Sequence, residues 1–98
     1  MSTEAVIRRE DGPGGGRYVL DLGGVEAELT WKVLGPGRIV ADHTLVPDAL
    51  RGTGVGRQLV DRLVADARAE GVTIVPACSF VAAMARRHPA WADLFVSP

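Results

Sequence analysis

Residues Arg51-Gly52-Thr53-Gly54-Val55-Gly56-Arg57 set three glycines between two arginines, and an amphipathic helix pattern begins inside the stretch. Glycine has no Cβ, so a ligand can approach such a backbone closely. The helix that follows points its unpaired N–H groups and the positive end of its dipole back at the loop. Phosphate is the ligand this arrangement suits. Two familiar phosphate loops are excluded by residue type. A nucleoside-triphosphate loop ends in Gly-Lys-Ser/Thr, whereas Gly56 is followed by Arg57 and Gln58. The dinucleotide fingerprint requires a third glycine where Arg57 stands. What remains is Arg51-x-x-Gly54-x-Gly56.

Three further residues carry chemical potential, each beside a plainer explanation. Cys78 is the single cysteine. Lone cysteines are commonly small buried hydrophobes, but this one directly follows an apolar strand pattern and enters a helix, where the dipole lowers a thiol pKa. His43 lies among apolar neighbours and is either a core histidine or a general base. An unperturbed imidazole pKa near ~6.5 suits removal of a proton from an ammonium. Ser79 either caps a helix or relays a proton through its hydroxyl. His88 precedes a proline and reads as structural, and Arg86-Arg87 as a solvated face or a contact for a nucleotide phosphate.

Composition bounds what these residues can belong to. Ninety-eight residues suit one domain spanning 1–98 with one core. The chain is 47% hydrophobic and 23% charged, with net charge −1. That balance gives no electrostatic case for nucleic acid or a membrane surface. No apolar run approaches the ~20 residues of a membrane span, and Met1-Ser2-Thr3-Glu4 does not open a secretion signal. One cysteine excludes an internal disulfide and suits the cytoplasm. One cysteine and two histidines without ligand spacing argue against a metal site.

The elements that must position these groups follow from periodicity. Ala5–Glu10 is expected as a first strand and Asp11–Gly16 as a flexible turn. Arg17–Leu22 alternates, with Tyr18, Leu20 and Leu22 on one face, and Gly23-Gly24 makes a hairpin. In the next strand Val25, Ala27, Leu29, Trp31 and Val33 face the core, opposite Glu26, Glu28, Thr30 and Lys32. After Gly35-Pro36-Gly37, Arg38–Val46 forms a fourth strand with Ile39, Ala41, His43 and Leu45 on one face. A helix starts at Val55, with Leu59, Val60, Leu63, Val64 and Ala67 apolar and Gly71 just past its end. Val72–Val75 is a short strand stopped by Pro76, and Ser79–Arg87 is a second helix with Phe80, Val81 and Met84 inward. His88–Phe95 adds an apolar turn against the core. The order β-β-β-β-α-β-α predicts an α/β (α+β) fold: a mixed, mostly antiparallel five-stranded sheet carrying two main helices.

With that order, Arg51-x-x-Gly54-x-Gly56 resembles the acetyl-CoA pyrophosphate loop of the GNAT-type N-acetyltransferases. The likeness extends along the chain. His43-Thr44-x-Val46-Pro47, Arg51-Gly52-x-Gly54-x-Gly56, Pro76-x-Cys78-Ser79 and His88-Pro89-x-Trp91 occur in that order. Together they are similar to the small single-domain GNAT-like proteins of the YjdJ type over about residues 15 to 95. The resemblance implies a minimal GNAT fold that binds acetyl-CoA or CoA and moves the acetyl group to an unidentified amine; fuller GNAT domains insert helices where this chain has only Asp11 to Gly16, which leaves an acceptor side open to a protein or peptide. It implies a cofactor site of Leu45, Val46, Arg51, Gly52, Thr53, Gly54, Val55, Gly56 and Arg57, with the main chain of Leu45 and Val46 pairing the pantetheine. Cys78 would face the thioester, protonating the leaving thiolate or accepting the acetyl group. His43 and Ser79 would complete the catalytic set, without a metal, in a monomer or weak homodimer. One departure is Phe80, where relatives often carry tyrosine, so a phenol acid is lacking. The other readings are a non-catalytic acyl-CoA-binding module and an interaction module with a vestigial loop.

Overall fold

The computed structural model describes residues 6–97. Its strands and helices run β1 (Val6–Gly12), β2 (Gly15–Leu22), β3 (Val25–Gly35), β4 (Arg38–Leu45), α1 (Val55–Glu70), β5 (Thr73–Pro76) and α2 (Ser79–Arg87). Two short 3-10 turns, Asp48–Leu50 and Pro89–Trp91, complete the order. The strands lie in the sheet in their chain order. β1 to β4 pair antiparallel, and β5 joins β4 parallel. This is the expected mixed five-stranded α+β architecture. Ala5, expected to open the first strand, lies outside the described residues.

Alternation explains the two faces of the sheet. Leu20, Leu29 and Ala41 are fully buried on one face, against Leu59, Leu63 and Ala67 of α1 and Val81 of α2. Burying each leucine contributes roughly 1.5–3 kcal/mol. The other face is wet. There Arg8 bridges Glu10 and Glu26, and Arg17 bridges Glu10 and Glu28, in a ladder of exposed ion pairs. Such pairs add little stability individually; they keep this face soluble and fix strand register.

The first hairpin is tighter than its glycines suggest. β1 and β2 pair through Gly12 and Gly15, leaving Pro13-Gly14 as the turn in place of the expected flexible stretch from Asp11 to Gly16. The glycines here serve packing. A Cβ on Gly16 would lie 2.7 Å from the Trp31 ring and 2.6 Å from the Glu10 carbonyl oxygen. Small residues let the indole lie flat against β2.

β4 departs from simple alternation, and the departure decides the site. Trp31 pairs with Ala41 and Thr30 with His43, so Asp42 is an extra residue on β4. Thr30 fixes this bulge by donating from Oγ1 to Asp42 Oδ1 at 2.6 Å, and Lys32 Nζ stands 3.5 Å from the same carboxylate. A bulge of this kind inverts which residues face which side. Ile39 and Ala41 are buried, but His43 and Leu45 are exposed, and Val46 instead packs against the core. The expectation that His43 and Leu45 share a face with Ile39 and Ala41 is therefore corrected. Thr44, opposite buried Leu29, turns to the helix side of the sheet. Val33 is 51% exposed although it pairs with Ile39, because it stands at the open end of the face it shares with Trp31 and Ile39.

α1 spans Val55–Glu70 as its apolar repeat predicts, and Gly71 ends it in a left-handed conformation with φ 70°. On its outer side Arg57–Asp61 and Arg62–Asp66 pair one turn apart at 3.8 and 3.1 Å. Asp66 also reaches across to the sheet. It accepts from Tyr18 Oη at 2.9 Å and Arg9 Nη1 at 3.1 Å, tying α1 to β1 and β2. The tail contributes more than a cap: Ile74 N donates to the Leu94 carbonyl at 2.9 Å and the Ile74 carbonyl accepts from Val96 N at 2.8 Å, either side of Phe95, which forms a parallel bridge to Ile74 at the sheet edge.

Candidate functional site

β4 and β5 separate near their C-terminal ends. Their pairing runs from Arg38 with Thr73 to Ala41 with Pro76. Pro76 has no N–H to continue the ladder. The Ala77 and Cys78 N–H groups then both donate to the Ala41 carbonyl, at 3.1 and 3.0 Å, which ends the pairing. Past this point β4 keeps β3 on one side and, among the described residues, has no strand on the other.

The opening continues as a groove of about 650 Å³. Thr44, Leu45 and Val46 form one wall, and Phe80, Met84, Arg87 and His88 of α2 and its end form the other. The floor is Leu50 to Gly52 and Gly54 to Arg57. Three arginines and a histidine line it, with no aspartate or glutamate. In a chain of net charge −1, that concentration of cations suits an elongated anion with an apolar arm.

The loop geometry follows from its glycines. Gly52 and Gly54 take φ of 78° and 85°, values open to glycine and strained for other residues. Gly54 is the N-cap of α1 and offers no side chain, so the first N–H groups of the helix have no side-chain cap. Such groups are what an anion would meet. Gly56 acts differently: a Cβ there would stand 2.7 Å from Phe80 Cζ, so its absence lets α2 close onto α1. Thr53 turns away from the groove, donating from both N and Oγ1 to the Leu50 carbonyl and holding the loop closed. Arg51 pairs with Asp48 at 3.0 Å.

Cys78 lies at the inner end of the groove without lining it. Its Sγ donates to Thr44 Oγ1 at 3.5 Å, spanning the gap between the diverging strands. Partial burial raises the thiol pKa, but once the sulfur is ionised it accepts from the Thr44 hydroxyl, which then donates, and from the Val81 and Phe80 N–H groups; these bonds outweigh burial, and the net shift is downward. Cys78 is itself the N-cap of α2, and Ser79 is the first helical residue, exposed and outside the groove. Ser79 therefore does not cap the helix. His43, exposed and paired with Thr30, does not line the groove and lies beside Asp42 on the other side of β4 from Thr44.

Periodicity misses two features of the site. Phe80, expected inward, is 37% exposed and forms groove wall over Gly56. His88 lines the groove while its Nδ1 bonds the Met84 carbonyl at 2.8 Å and its ring stacks on Trp91 at 4.1 Å. The three-residue spacing of His88 and Trp91 is the signal that could have revealed this stack. Among the described residues, no cluster of three histidine, cysteine or acidic groups has metal-binding spacing. No helix there is long and apolar enough to cross a membrane.

Comparison with known proteins agrees with this geometry. No curated protein matches the chain. A GCN5-like candidate N-acetyltransferase from Staphylococcus aureus, known from its NMR solution structure, superposes with a TM-score of 0.71 at 28% identity. The match covers 93% of this chain and 89% of that one. The family model for GCN5-related N-acetyl-transferase matches residues 17–94, from within β2 through the buried Leu94. The chain thus belongs to the GCN5-related N-acetyltransferase family.

Proposed function

We propose that this protein transfers the acetyl group of acetyl-CoA to an amine. The observation that carries the reading is the groove: a glycine loop at an uncapped helix N-terminus, lined by cations without carboxylates, continuing into a strand edge with no partner. The loop backbone takes the diphosphate, with Arg51 and Arg57 adding charge-assisted bonds. The pantetheine follows the main chain of Leu45 and Val46, and the thioester comes to rest near Cys78.

The acceptor amine then approaches from the other side of β4, where the bulge has placed Asp42 and His43. His43 takes a proton from the ammonium, since only the neutral amine attacks. A β4 backbone N–H polarises the thioester carbonyl. As the nitrogen–carbon bond forms, the nitrogen releases its second proton to solvent, the carbon–sulfur bond breaks, and Cys78 gives its proton to the leaving thiolate. The thiol is restored from solvent. Ser79, exposed and outside the groove, has no step in this scheme.

Within the family the motif order favours the YjdJ type, acting as a single domain in the cytoplasm, monomeric or weakly dimeric, on a protein or peptide acceptor. A non-catalytic acyl-CoA module shares the groove but needs no proton-transfer groups at its inner end. Titration calorimetry with acetyl-CoA and CoA tests the reading, with binding at micromolar to submillimolar levels expected. Absence of binding at millimolar CoA would overturn it. Tight binding without acetyl transfer to any amine would leave the module.

A further inference from the structure

We infer that Arg87 reads the 3′-phosphate on the adenosine end of CoA, so that this chain separates CoA from dephospho-CoA. The inference rests on the acetyl-CoA reading above and adds which end of the molecule gives specificity.

CoA carries a diphosphate and, apart from it, a phosphate monoester. The diphosphate has its place at the α1 N-terminus. The groove holds one strong cation that this placement does not use. Arg51 is paired with Asp48 at 3.0 Å and Arg57 with Asp61 at 3.8 Å. Among the described residues, no carboxylate lies within ion-pairing distance of Arg87. It lines the groove from the α2 wall, across from the loop that takes the diphosphate. Of the two arginines in the last turn of α2, only Arg87 reaches the groove.

The end of α2 makes this arginine necessary for an anion. Its last carbonyls, of which His88 engages only those of Met84 and Ala85, form the negative end of the helix dipole and oppose a phosphate unless a cation stands there. The next residue is held in place. His88 Nδ1 bonds the Met84 carbonyl at 2.8 Å, and its ring stacks on Trp91 at 4.1 Å. An anchored helix end limits the freedom the Arg87 stem loses when it forms a phosphate contact.

Calorimetry with CoA and dephospho-CoA on the wild type, Arg87→Gln and Arg87→Lys tests this at one fixed ionic strength. The wild type should bind CoA about tenfold or more tightly than dephospho-CoA, the scale of one charge-assisted phosphate contact. Arg87→Gln should bring the two affinities together by weakening CoA alone, and Arg87→Lys should keep part of the difference. Equal wild-type affinities would overturn the inference while leaving the acetyl-CoA reading intact. So would an Arg87→Gln variant that weakens both ligands alike, since the arginine would then serve the diphosphate. If the wild type binds neither ligand, the acetyl-CoA reading fails first and the inference with it.

Discussion

Cys78 and His43 stand on either side of one strand, and chemistry at the residue scale follows from that separation. The Cys78 thiol is held below its ordinary pKa because the Thr44 hydroxyl and the α2 N–H groups outweigh partial burial. Its alkylation by iodoacetamide should rise with pH about a midpoint below the ~8.5 of a free thiol. Saturating CoA should protect it, and Thr44→Val should move the midpoint up. A midpoint at the ordinary value, with no protection, would make Cys78 a packing residue only. His43 is accessible from the outer face, where an acceptor would arrive. His43→Gln should lower kcat by about 10²-fold while leaving acetyl-CoA affinity unchanged, as loss of a general base does. Wild-type turnover in that variant would assign deprotonation to solvent or to the acceptor.

At the scale of elements, the glycines of the loop divide into two kinds. Gly54 has open space where a Cβ would go, but its φ of 85° penalises any side chain. Gly54→Ala should therefore cost about 1–2 kcal/mol in stability, measured by urea unfolding. Gly56 is helical, so alanine there gains up to roughly 1 kcal/mol of propensity, while the new methyl pushes on the Phe80 ring. Gly56→Ala should leave stability within about 1 kcal/mol of wild type and weaken CoA binding, because the displaced ring belongs to the groove wall. Adding Phe80→Ala should restore part of that affinity; no recovery would mean that Gly56 acts on the phosphate directly.

For the whole molecule, the carboxylate of Asp66 connects the long helix to the first two strands. Burial raises its pKa, but bonds from Tyr18, Arg62 and Arg9 outweigh this, and the net shift is downward. A depressed carboxylate contributes stability that is present above its unfolded pKa of ~3.9 and is lost as pH falls through the folded value. Asp66→Asn should cost about 1–3 kcal/mol at neutral pH. It should also lose less stability than wild type between pH 5 and pH 2, monitored by thermal unfolding. Parallel pH profiles for the two proteins would show that Asp66 does not couple helix to sheet. The contact joins the helix that starts at the glycine loop to the first two strands of the sheet.

Alternation in Val25–Trp31, the repeat Leu59-Val60-Leu63-Val64 and the glycine at position 71 specified β3, α1 and their boundaries without tertiary information, because local periodicity and burial agree there. The shape of the loop was legible for a related reason: glycines before an apolar helical repeat predict left-handed turns and a helix start without a side-chain cap from local sequence alone. β4 was not. The Asp42 bulge is an event between two strands, stabilised by Thr30 from the neighbour, and no period within Arg38–Val46 reports it. That one extra residue turned His43 to the outer face and Thr44 toward Cys78. The groove wall depended in the same way on contacts distant in sequence, Gly56 against Phe80 and His88 against Trp91 at the end of α2. Sequence determined which chemical groups were present and which elements carried them. Which side of the sheet each group faces was decided by cross-strand registration, which exists only once the sheet has formed.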